Sequence, residues 1–176
     1  MILKVARLGH PVLRQVAEAV PPDQITAPAL QQFIDDMVAT MYEYDGAGLA
    51  APQVHVSQQI VVLEVNPNPR RPQAPSIPLT VYINPEITPL TDDMDEDWEG
   101  CLSVPGLRGK VPRYTKIRFR AYDRQAQRVD LVAQGFHARV LQHECDHLQG
   151  KVYLDRMRSM ESLMFVEEWM KYGLRE

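Results

Sequence analysis

Apolar positions recur at helical spacing early in the chain and at alternating spacing in its middle. Leu30, Phe33, Ile34, Met37, Val38 and Met41 fall at i, i+3, i+4, i+7, i+8 and i+11, one stripe of helical period. It predicts a helix from about Pro28 to Tyr42, with Thr26 as its N-cap and Asp45-Gly46-Ala47-Gly48 as its stop. Ile60–Val65 and Leu79–Ile83 read as strands. Further on, Ile117, Phe119 and Ala121 alternate with Arg118, Arg120 and Tyr122, and Val129, Leu131 and Ala133 with Asp130, Val132 and Gln134. Period two with one apolar face predicts an antiparallel pair turning at Asp123–Gln127. Gly135 opens a second helix to about Gln149, in which Phe136, Val140, His143 and His147 share a stripe and Gly150 supplies the stop. A third helix is expected from about Ser159 to Tyr172, carrying Met160, Leu163, Met164 and Val166. Helices and antiparallel strands mix without regular alternation, which favours an α+β fold over a doubly wound parallel sheet.

Length and composition narrow the setting. The 176 residues suit one domain spanning 1–176, long enough to bury a core without disulfides. Residues 66–78 hold five prolines and read as a surface loop between two strands rather than a linker. A net charge of -4 argues against a partner engaged through phosphates, so no direct specific nucleic-acid binding is expected. No apolar run approaches the roughly 20 residues of a membrane span. The stretch Met1–Arg7 is too short and too charged for a signal peptide core. With only Cys101 and Cys145 as thiols, a reducing, cytoplasmic setting is the expectation.

His143-Glu144-Cys145-Asp146-His147 is a HExxH sequence inside the second predicted helix. Histidines four apart share a helix face and can grip one cation, while Glu144 stands beside the first as a general base. A chance match explains HExxH alone, but the inward stripe of Phe136 and Val140 carries both histidines towards the core, where an unpartnered pair would be costly. A catalytic site of this kind needs a third protein ligand and one open position. His10, His55, His137 and Cys145 are poorly placed for it. Glu161 or Glu167 would serve in a peptidase of another HExxH type, and Cys101 is the most attractive donor. Gly100 before Cys101 permits close backbone approach, yet a free cysteine is most often a small buried hydrophobe. A structural zinc site is a third reading, and would need Cys145 as a fourth ligand. In Gly46-Ala47-Gly48-Leu49-Ala50-Ala51-Pro52-Gln53, the small residues allow a substrate chain to come close, and Gln53 has an amide N–H for an oxyanion. A tight packing corner after a helix stop explains the same residues.

Taken together, Gly46-Ala47-Gly48-Leu49-Ala50-Ala51-Pro52-Gln53, Glu99-Gly100-Cys101-Leu102-Ser103 and Gln142-His143-Glu144-Cys145-Asp146-His147-Leu148-Gln149-Gly150 resemble, in order and separation, the three signature motifs of the peptide deformylases. Val104-Pro105-Gly106 and Tyr153-Leu154-Asp155-Arg156 also match, and the resemblance runs from Leu8-Gly9-His10-Pro11 to about Arg156. It implies antiparallel sheets wrapped around a central metal-binding HExxH helix, with an N-terminal and a C-terminal helix. It further implies a metallo-amidohydrolase that removes the formyl group from N-formylmethionyl nascent peptides and releases formate. Cys101, His143 and His147 would be the metal ligands. The ion would be Fe(II), with Zn(II), Ni(II) or Co(II) as substitutes. A metal-activated hydroxide would attack the formyl carbon, with Glu144 as general base and then acid. Gln53 and the Leu102 N–H would hold the oxyanion. The resemblance places Gly46, Gly48, Gly100 and Arg108 along an extended peptide, Phe136 and Val140 in the methionine pocket, and Glu99 at the substrate with a supporting ion pair to Arg113. His55 and Cys145 depart from the usual pattern without touching a named role. Beyond Ser159, Glu161, Glu167, Glu168 and Glu176 outnumber Lys171 and Arg175, so contact with the ribosome is expected to be transient if it occurs. A monomer or a homodimer is expected.

Overall fold

A computed structural model describes residues 1–67 and 75–173. Most of the proline-rich loop expected at 66–78 therefore lies outside the described residues. Five antiparallel strands form one sheet in the order β1 (Gly48–Ala50), β2 (Ile60–Val65), β3 (Ile77–Pro89), β6 (Lys116–Tyr122), β7 (Arg128–Gln134). A second sheet is built from β4 (Met94–Cys101), β5 (Val104–Tyr114) and β8 (Met164–Phe165). Helix α1 (Pro28–Glu43) packs on one face of the larger sheet, and α2 (Gly135–Leu148) on the other. The α+β class, with antiparallel sheets and helices, stands.

The run Ile60–Leu63 is apolar without a break because β2 is buried on both faces there. Val61 and Leu63 join the core under α2, with Phe119 and Leu141. Ile60 and Val62 join the core under α1, with Ile34, Met37 and Met41. A strand covered on both sides loses the alternation that a half-exposed strand keeps. The β6–β7 pair keeps it, in register from Lys116↔Gln134 to Tyr122↔Arg128.

Four expectations change. The N-cap of α1 is Ala27, not Thr26, and makes no side-chain cap bond. Pro28 is the first helical residue, and proline forces its predecessor out of the helical region. Strand β3 runs well past Ile83, through a register shift at Ile83–Glu86. There Asn84, at φ 52°, turns its side chain onto the Val20 backbone, accepting from its N–H and donating to its carbonyl, both at 2.8 Å. The β4–β5 hairpin escaped notice because half of its first strand is acidic and its second holds two prolines and two glycines. Last, the helix expected from Ser159 is instead a single turn (Met160–Ser162), then β8, then a short helix α3 (Val166–Glu168) running into a π-helical turn (Trp169–Gly173). β5 has an open edge at Leu107 and Arg108, and Phe165 and Met164 pair with it. Satisfying that edge outweighs the weak helical stripe. Among the described residues no helix is long and apolar enough to cross a membrane.

Candidate metal centre

Three chain segments converge on the C-terminal half of α2. The first leaves α1, forms the edge strand β1, and turns at Ala51–Val54 to bury Gln53. The Gln53 Oε1 accepts from the Ala50 N–H at 2.9 Å, which fixes the amide. Its Nε2 donates to Ser103 Oγ at 3.1 Å and faces Cys101 Sγ at 3.5 Å. The second is the β4–β5 turn, where Cys101 pairs across to Val104 and Leu102 sits at the tip. The third is α2 itself, with His143, Glu144 and His147.

Cys101 Sγ and one ring nitrogen each of His143 and His147 lie within 4.8 Å of one another. Sγ stands 3.3 Å from His147 Nε2. Ligands at ~2.0–2.3 Å around a tetrahedral ion are spaced roughly 3.5 Å apart, so the set is already close to gripping one. One thiolate and two imidazoles suit a borderline divalent cation, and three protein donors leave a position open. The field agrees. Burial opposes ionisation of Cys101, yet His147 and hydrogen bonds from both histidines outweigh it and hold the thiol well below its ordinary value. The residues present therefore fit a metal ion.

Glu144 is buried beside them. Burial pushes its carboxyl up, and Oε2 has no partner among the described residues. Gly48 of β1 lies directly against this carboxylate: a Cβ there would overlap Oε1 and crowd Cγ and Cδ. Gly48→Ala is therefore expected to push the carboxylate out of place. A misplacement of ~1 Å costs on the order of 100-fold in rate, so kcat/KM should fall by about that factor, with metal content and melting temperature nearly kept. Steady-state kinetics beside metal analysis checks this; an unimpaired variant would show that Glu144 needs no such seat.

Behind the three candidate donors lies a buried ionic cluster. Arg113 of β5 grips Glu99 with two bonds, Nε to Oε1 at 2.9 Å and Nη2 to Oε2 at 3.0 Å. It reaches Asp146 of α2 with Nη1. Arg139 donates to Glu99 Oε1 at 2.9 Å, and Arg156 donates to Asp146 at 2.7 Å. Glu99 Oε2 also meets His143 Nδ1 at 2.8 Å, which leaves the other ring nitrogen to face Cys101. Burial would raise the Glu99 pKa, but His143 and Arg113 hold it far below the usual carboxylate range. The cluster ties the strand of the second motif to the helix of the third. Tyr153 stacks on His143 at 6.3 Å between ring centroids.

An open cleft of about 1240 Å³ runs across the site. Of the candidates, Cys101, Leu102, Gln53, His143 and Glu144 line it, as do Gly46, Gly48, Gly100, Arg108, Phe136 and Val140. His147 is buried, 1% exposed, and does not line it. Glu99 also borders the cleft, but its carboxylate oxygens are taken up by Arg113, Arg139 and His143. His10 and His55 stand at the mouth, ring centroids 4.6 Å apart. Cys145 packs against the core cluster instead. Glu161 and Glu167, the carboxylates of the peptidase alternative, are exposed and stand outside the ligand group, as does Cys145, the fourth ligand of the structural-zinc alternative. Sequence reasoning missed Arg139, Asp146 and Trp169. The first two had a signal: Arg139 lies one turn before His143, and Asp146 lies within the HExxH word itself.

Comparison with known proteins agrees in kind. Residues 2–163 match the polypeptide deformylase family. The chain is 49% identical to peptide deformylase 1 of Nitrosomonas europaea over 167 residues, covering 95% of this chain and 94% of that one. It is 48% identical to peptide deformylase 1 of Bordetella pertussis, with 95% and 94% covered. The Met-Ala-Ser-bound structure of the class I type b peptide deformylase from Acinetobacter baumannii superposes with a TM-score of 0.86 at 40% identity, covering 89% of this chain and 99% of that one.

Proposed function

The chain belongs to the polypeptide deformylase family, and from that membership we propose how its residues divide the work. The protein is a metal-dependent hydrolase that removes the N-terminal formyl group from nascent polypeptides. We propose that Cys101, His143 and His147 hold the ion and that it is Fe(II), with Zn(II), Ni(II) or Co(II) able to substitute. A bound divalent cation supplies Lewis acidity at the formyl oxygen and makes water acidic enough to ionise near neutrality.

The protein's own groups do the rest. Glu144 takes a proton from the attacking water on its carboxylate and returns it to the departing amine nitrogen, so that the C–N bond breaks to give formate and a free methionine terminus. Gln53 Nε2 and the Leu102 N–H donate to the oxyanion, and a fixed amide serves better than a mobile one because it needs no reorganisation. Gly46, Gly48 and Gly100 let an extended peptide lie close to the backbone. Arg108 donates to its carbonyls. Phe136 and Val140 form the apolar pocket for the methionine side chain. For Glu99 we propose a positioning part: it holds His143 by Nδ1, as carboxylates behind metal-binding histidines do. The reading also takes 1–176 as one catalytic domain. It works in the cytoplasm as a monomer or homodimer, and any contact with the ribosome is transient.

The observation that carries these roles is the meeting of one thiol and two imidazoles, with a buried carboxylate beside them, at the cleft. The test is formate release from formyl-Met-Ala-Ser by enzyme purified without oxygen, with the bound metal analysed on the same sample. Formate with stoichiometric iron supports the reading. A folded, metal-loaded enzyme that releases no formate overturns the activity, and a zinc-reconstituted enzyme that outperforms the iron-reconstituted one overturns the choice of iron.

A further inference from the structure

The chain beyond the HExxH helix reaches back into the cleft. β8 extends the second sheet along β5, with Arg108 opposite Met164. The turn after it sets Trp169 on Arg108, Cζ 5.8 Å from the indole centroid. Trp169 is 6% exposed and packs edge-on against Trp98 at 6.2 Å. It lines the same cleft as Cys101 and Glu144. The guanidinium also lies directly on Gly100: a Cβ there would overlap its Nη1. Nη1 donates to the Leu107 carbonyl at 3.0 Å. An arginine has many rotamers to lose when it binds a peptide, and one already held against an aromatic face and a glycine has fewer.

We propose that Trp169 is a positioning residue for peptide recognition, holding Arg108 where its N–H groups meet the backbone carbonyls downstream of the formylated methionine. The inference rests on the deformylase reading and deepens it, adding to the cleft a wall from the chain after the three motifs. Gly173 supports the same turn, since a Cβ there would run into the indole edge.

The test uses the metal-loaded full-length enzyme on two substrates, formyl-Met-Ala-Ser and formyl-methioninamide, which ends before the downstream residues. Trp169→Leu keeps apolar volume but removes the aromatic face. Its KM for the tripeptide is expected to rise about 3- to 30-fold, the factor a cation–π contact supplies. Its kcat should stay within about twofold, since uniform binding alone is lost. The short substrate should be unaffected, Trp169→Phe should recover part of the loss, and Trp169→Leu should add nothing to Arg108→Ala. Calorimetric binding of Met-Ala-Ser should weaken in parallel. An unchanged tripeptide KM in folded Trp169→Leu, equal losses on both substrates, or additive losses with Arg108→Ala would each overturn the proposal. A parent enzyme that releases no formate from either substrate overturns the deformylase reading and this inference with it.

Discussion

Replacing Glu144 with glutamine is expected to lower kcat/KM for formyl-Met-Ala-Ser by roughly 10²–10⁴-fold, the range for loss of a positioned general base. Glutamine preserves the shape that fits against Gly48. It removes only the capacity to accept and return a proton. The Glu144 Oε2 has no protein partner among the described residues, so the fold loses no hydrogen bond there. Metal content and melting temperature should therefore match the parent. A variant that binds metal, melts normally and still turns over at the parental rate would assign the proton transfer to another group. One that loses its metal would instead make Glu144 part of the ligand set.

Arg113→Met is expected to cost stability rather than chemistry first. Arg113 and its partners Glu99 and Asp146 are buried, with side-chain exposures of 5%, 4% and 7%. Breaking a buried ion pair from one side costs about 3–5 kcal/mol, because the remaining charge stays desolvated. Here the lower end applies. Arg139 still bonds Glu99 and Arg156 still bonds Asp146. For a chain of this size ~1 kcal/mol moves the melting temperature by roughly 2–4 °C, so a drop of roughly 6–12 °C is expected. The second effect falls on the metal. With one of its anchors gone, Glu99 holds His143 less firmly, and loss of such support typically weakens metal binding by about 10–100-fold. Thermal denaturation and competition with a chelator measure the two effects separately. An unshifted melting temperature would mean that the cluster is held by Arg139 and Arg156 alone.

Much of the fold was legible because burial on one face leaves a period in the sequence. The α1 stripe, the β6–β7 alternation and the Gly150 stop each reflect a single local preference that the tertiary structure did not oppose. The β4–β5 hairpin left no such mark. Its strands are anchored by Glu99 and Arg113, charged residues whose burial depends on partners in α2, and a buried charge looks in sequence like an exposed one. The C-terminal segment was misread for a related reason. Met160, Leu163, Met164 and Val166 are compatible with a helix, but the unpaired edge of β5 was available to take a strand.

The chemistry divides the same way. That His143 and His147 share a face, with Glu144 beside them, follows from helical geometry and needed no tertiary information. Residue chemistry made Cys101 the most attractive donor but left it open between ligand and buried hydrophobe, and the resemblance favoured the ligand. The distances that set its Sγ against both imidazoles are a product of how the hairpin turn docks on α2. Equally, nothing local could show that Glu99 meets His143 Nδ1, or that Trp169 rests on Arg108. Helix periodicity and motif identity are properties of neighbours in the chain, so the sequence determines them. Which buried charges pair, and which distant segment closes the cleft, depends on competition among contacts far apart in sequence, and the tertiary structure decides it.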